Sequence, residues 1–135
     1  MNTDIAAQKA LDQLAKSGFE KLADSDKLLA AIWTFEAEVA NRGFARYFSS
    51  SAGDMACHVP AALRTIGAVG MAEIAAEAND VFGAGGPPKN RKERRTLVRA
   101  FGDGTRKTLE ALEARFYESP EDVDDLLEIF LNQKR

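Results

Sequence analysis

One cysteine, one histidine and no apolar run of about 18 residues put several protein classes out of reach. A lone cysteine cannot close an intramolecular disulfide, which suits a reducing compartment. With only Cys57 and His58 to offer, a structural zinc site would have to borrow carboxylates, whereas such sites usually have four Cys or His ligands. Neighbours in sequence point in different directions, so the same pair is no ready nucleophile and base. No metal or cofactor is therefore expected. The opening Met1-Asn2-Thr3-Asp4-Ile5 lacks the basic segment and apolar core of a signal peptide, and the expected location is the cytoplasm. Gly83-Ala84-Gly85-Gly86-Pro87-Pro88-Lys89 loosely resembles a phosphate-binding loop. Two prolines remove N–H donors, and no strand or Gly-Lys-Ser/Thr ending accompanies it, so it reads as a flexible connection.

What is present points to helices. With 45% hydrophobic and 29% charged residues the chain has the composition of a folded protein. Residues 1–135 fit one domain, long enough to bury roughly two-thirds of the unfolded surface. Alanine and leucine abound and no apolar stretch alternates with period two for long, which predicts an all-α domain of about six to eight short helices. The first is expected to end near Gly18. The second is capped by Asp24 or Ser25 and runs to about Asn41, with Gly43 as its stop. Pro60 suits the first turn of a third, and a fourth covers about Met71 to Phe82. A fifth begins near Asn90 with Leu97, Val98 and Phe101 on its buried side. A sixth is capped by Asp103 or Thr105. The last has Ser119 as cap, Pro120 at the first helical position and Glu121-Asp122 at the favourable end of the helix dipole.

Charge is nearly balanced overall, at −3, but unevenly distributed. Lys89 to Lys107 holds eight basic and two acidic residues, whereas Thr108 to Gln133 holds eight acidic residues and only Arg115 as a base. The basic stretch could grip phosphates. It lacks a helix-turn-helix pattern or interleaved aromatics, and a solvated helix pairing with acidic neighbours is the simpler reading. In the last helix Val123, Leu126, Leu127 and Phe130 form an apolar face, leaving Glu121, Asp122, Asp124, Asp125 and Glu128 on the other side. Carboxylates one turn apart are about 6 Å apart along the axis, comparable with two base steps of about 3.4 Å. These five are the candidate partner-binding residues.

Glu36 is the oddest residue of the second helix. It falls inside the apolar arc of Leu28, Ile32, Phe35 and Val39, while Glu38 lies on the solvated side. A carboxylate facing a core needs partners. Glu36 either accepts hydrogen bonds from the following Asn41–Gly53 turn or serves as a general acid or base with a raised pKa. The first is favoured, because no second carboxylate or histidine completes a catalytic constellation at a recognisable spacing.

The order Glu36, Asn41, Gly43-Phe44, Tyr47-Phe48, Ser51, Gly53 resembles the signature of the DNA-mimic-protein-like domain family, small all-helical bacterial proteins. Ala62-Leu63, Ile66-Gly67-Ala68, the Ala72–Phe82 helix and Leu112 through Phe116-Tyr117 extend the resemblance over most of the chain. Arg42 stands where the family's turn would carry a second glycine. The resemblance implies a non-enzymatic dimer whose acidic surface imitates duplex DNA. Its partner would be a DNA-binding transcription regulator, with no direct contact to nucleic acid or membrane. Against that stand 18 basic residues beside 21 acidic ones, a weak bias for a mimic. An immunity-like, toxin-neutralising domain and, less favoured, a small enzyme centred on Glu36 are the alternatives.

Overall fold

The computed structural model describes residues 3–133, and among them there are seven α-helices and no strand. They are α1 (Thr3–Ser17), α2 (Asp24–Ser49), α3 (Val59–Thr65), α4 (Val69–Asp80), α5 (Arg91–Arg99), α6 (Asp103–Glu118) and α7 (Val123–Gln133). Short 3-10 segments, Phe19–Lys21 and Ser51–His58, join α1 to α2 and α2 to α3. The all-helical expectation holds. No helix among the described residues is long and apolar enough to cross a membrane.

Helix α2 is the axis of the fold. α1, the Ser51–His58 segment, α3, α5 and α6 all pack on it, while α4 packs on α3 and α6, and α7 touches α1. Leu29, Ile32, Phe35 and Val39 are buried along its first part, as their spacing predicts. The arc is wider than expected because Ala30 and Ala31 are buried too, letting a neighbour approach closely. Fully burying each large apolar side chain contributes about 1.5–3 kcal/mol. Glu38 is not on a solvated face: the end of α1 and the Ser51–His58 segment flank it, and its Oε2 is shielded from water.

Gly43 is a kink rather than a stop. Its φ of 84° lies in the left-handed region that favours glycine, and the helix resumes at once through Phe44, Tyr47 and Phe48. The restart leaves the Phe44 N–H without an intrahelical partner, and it donates to Glu113 Oε1 of α6 at 2.7 Å. Glu113 therefore does what the sequence assigns to Glu36. The aromatics that follow close the core: Phe48 meets Phe82 edge-on at 4.8 Å, and Phe35 meets Tyr47 edge-on at 5.5 Å.

Several helix starts also differ from expectation. Ala23, not Asp24 or Ser25, occupies the cap position of α2, with Asp24 and Asp26 in the first turn beside the helix dipole. Gly102 precedes α6 without a side-chain cap. Helix α7 begins at Val123 rather than at Pro120. Its cap is Asp122, whose Oδ1 accepts from Asp125 N at 3.0 Å and whose carbonyl accepts from Leu126 N. Ser119 Oγ instead accepts from Glu121 N in the preceding turn. On α5, Asn90 caps as its position suggests, accepting from Glu93 N, but the buried face differs. Val98 and Arg94 are inside while Leu97 is exposed.

Candidate functional site

The acidic tract at the end of the chain divides by function once its contacts are traced. Glu121 is not a surface carboxylate: Oε2 accepts from Gly70 N at 3.0 Å and Oε1 from Met71 N at 2.7 Å, in the first turn of α4. There the unpaired N–H groups and the positive end of the dipole favour a carboxylate. Asp122 is tied to its own helix start, though its side chain remains exposed. Asp124, Asp125 and Glu128 face outward.

Those three, with Asp122, Thr3, Asp4 and Trp33, line an open groove of about 680 Å³ between α1, α2 and α7. Among the described residues, every charged side chain lining it is acidic. Asp4 comes from α1 and Trp33 from α2, so neither was legible as a neighbour of the tract. The half-buried indole puts an aromatic beside the carboxylates.

Glu36 lies next to this groove. Together with Glu121, Asp122, Asp124, Met71, Phe116 and Val123 it lines a cavity of about 350 Å³, with no basic side chain among the described residues of its lining. Its Oε1 is shielded from water and has no hydrogen-bond partner. Burial, followed by the charges of Asp124 and then Asp122, pushes its pKa up to about 7. The expectation that the Asn41–Gly53 turn satisfies it is thus replaced: α6 serves the turn, and Glu36 faces the start of α7.

Three arginines of the basic stretch are engaged by the fold. Arg94 is fully buried, and its guanidinium donates to the carbonyls of Phe48, Ser50, Pro88 and Lys89 and to Asp54 Oδ1. Arg91 Nη2 bonds Asp54 Oδ2 at 2.8 Å, and Arg95 Nε bonds the Ser49 carbonyl at 2.8 Å. Burial alone would raise the Asp54 pKa, but the hydrogen bonds and charges of Arg91 and Arg94 outweigh it and hold the carboxyl below its usual range. The Gly83–Pro88 connection is accordingly anchored at its end, through the Pro88 and Lys89 carbonyls.

Cys57 is exposed, while the ring of the adjacent His58 stacks on Phe19 at 4.5 Å. Burial and then the nearby Lys89 lower the His58 pKa. Among the described residues no group of three His, Cys, Asp or Glu is placed to hold a metal ion.

Arg94, Glu113 and Asp54 are the residues that sequence reasoning missed. Arg94 stands four residues before Val98 and so shares its buried face, and Glu113 falls within the arc of Leu109, Leu112 and Phe116. Both repeat the signal that singled out Glu36: a charge at an apolar position.

Fold and site together define a small all-helical domain, organised on a kinked axial helix and carrying an acidic groove. A family model described as DMP19-like protein matches residues 20–134, and the chain belongs to that family. Comparisons with curated proteins and with solved structures find no match.

Proposed function

We propose that the chain is a non-enzymatic binding module that presents its acidic groove to a basic protein partner, in the manner of a DNA mimic. The observation that carries this reading is the lining of the groove: among the described residues, Asp4, Asp122, Asp124, Asp125 and Glu128 converge on it, beside Trp33. A partner built to grip phosphates brings Lys and Arg side chains, which carboxylates one helical turn apart can meet. The Trp33 ring adds a face on which a guanidinium can stack. Membership of the DMP19-like family supports the same direction.

Compared with the five residues singled out in the sequence, the proposed contact set loses Glu121, held by α4, and gains Asp4 and Trp33. The test is capture of partners from cytoplasmic extract of the source organism, eluted by rising salt. A DNA-binding protein should elute early, be displaced by duplex DNA, and be poorly retained by the D124N/D125N/E128Q protein. Retention insensitive to salt would argue against mimicry. A captured partner with no affinity for DNA would favour the immunity-like alternative.

A further inference from the structure

A second recess shares no lining residue with the acidic groove. It holds about 500 Å³, within the size range of small-ligand sites. Leu11 and Leu14 of α1, Phe19 and Met55 supply apolar walls.

Part of the charge around it is spent within the fold. Asp54 holds Arg91 and Arg94, and both bonding arms of Arg91 go to Asp54. His58 lies against Phe19, and burial and then Lys89 lower its pKa, which disfavours its charged form. Lys89 and Glu20, both exposed at the rim, are of opposite sign. That leaves Glu38. Its side chain is 30% exposed, but its Oε2 is shielded from water and accepts no hydrogen bond, and its ion pair with the exposed Arg42 is long, at 3.8 Å. A carboxylate oxygen removed from water without a donor is costly, and a donor entering from the recess would relieve that cost.

We propose that this recess binds a small organic cation, an ammonium group on an apolar stem. The ammonium is held by Glu38, and the stem lies against Leu14, Phe19 and Met55. For an anion the lining offers the exposed Lys89, with Arg91 engaged by Asp54 and the carboxylates of Glu20 and Glu38 opposing it. The site does not rest on the partner proposed above.

The test is an amide chemical-shift titration at neutral pH with pentylammonium, pentanol and pentanoate. Pentylammonium should give saturable shifts around Leu14, Phe19, Met55 and His58, binding roughly ten-fold tighter than pentanol. Pentanoate should bind no better than the alcohol. E38Q keeps the shape of the side chain and should erase the difference between amine and alcohol. L14Q leaves Glu38 in place and should weaken both, which keeps the test decisive if E38Q folds poorly. Absence of saturable shifts, shifts confined to the acidic groove, equal affinity for amine and alcohol, an amine preference that survives E38Q, or wild-type binding by L14Q would each overturn the proposal.

Discussion

The guanidinium of Arg94 fills the space that a β-carbon at Gly53 would need. A Cβ there would lie 2.8 Å from Arg94 Nε, 2.9 Å from the Tyr47 carbonyl oxygen and 3.0 Å from Phe48 Cα. Gly53 is thus required by close approach, and the arginine it admits ties the end of α2 to the start of α5. Gly53→Ala should destabilise the protein by about 1–3 kcal/mol, because two of the three contacts are backbone and cannot step aside. Arg94→Met should cost more, about 3–5 kcal/mol, by leaving the Phe48, Ser50 and Pro88 carbonyls without their donor and Asp54 with Arg91 alone. Urea unfolding checks both through a lowered midpoint. A Gly53→Ala midpoint equal to wild type would refute the steric argument.

Glu113 should behave as a brace for the kink. Glu113→Ala removes the acceptor of the Phe44 N–H and should destabilise by about 1–2 kcal/mol. The diagnostic reading is local: hydrogen exchange at Phe44 should accelerate beyond the change in global stability. Uniform acceleration across α2 would mean that the bond is not what holds the restart.

Glu36 gives a pH dependence of definite sign. Its folded pKa, about 7, is raised from 4.5, so the native state holds its proton more tightly than the unfolded chain does. Its contribution to stability is fully present below pH 4.5 and lost as pH rises to about 7. Glu36→Gln should therefore be roughly 1–3 kcal/mol more stable than wild type at pH 8, relative to the difference at pH 4.5. The lowered pKa of His58 acts in the opposite direction, favouring stability as pH rises through its titration. The informative quantity is thus the wild-type-minus-variant difference across the pH series. A flat difference would show that Glu36 titrates normally.

Glu121 and its neighbours should separate cleanly. Glu121→Gln weakens the anchor on α4 and should cost about 1 kcal/mol of stability while leaving partner capture intact. The D124N/D125N/E128Q protein should unfold at the wild-type denaturant concentration and lose capture. Measuring both properties on both proteins checks the division of the acidic tract. Loss of capture by Glu121→Gln at unchanged stability would contradict it.

The sequence made the helices legible because apolar spacing and the glycine and proline breaks are local. The start of α5 near Asn90, Pro60 near the start of α3 and the buried run of α2 follow from neighbours within one turn. The helix starts at Ala23, Gly102 and Asp122 were misplaced because several adjacent residues can cap, and tertiary contact selects among them. Ser119-Pro120 reads as a helix start, yet the pull of Glu121 toward the amides of Gly70 and Met71 delays the helix until Asp122. The exchange of roles between Glu36 and Glu113 was equally invisible. Which buried carboxylate meets the Phe44 amide depends on where α6 lies across α2, 69 residues away in sequence. Trp33 and Asp4 join the groove for the same nonlocal reason.

Helix α1 precedes the segment that the family model matches, which starts at residue 20. Its buried residues are all alanines, so it presses few large side chains into the core. Yet it supplies Thr3 and Asp4 to one recess and Leu11 and Leu14 to the other. On the two binding proposals above, selectivity at both mouths is set partly by a 15-residue helix that the matched segment does not include. Evolution could retune what this scaffold accepts by editing that one element, with the kink, the arginine pin and the aromatic core left as they are.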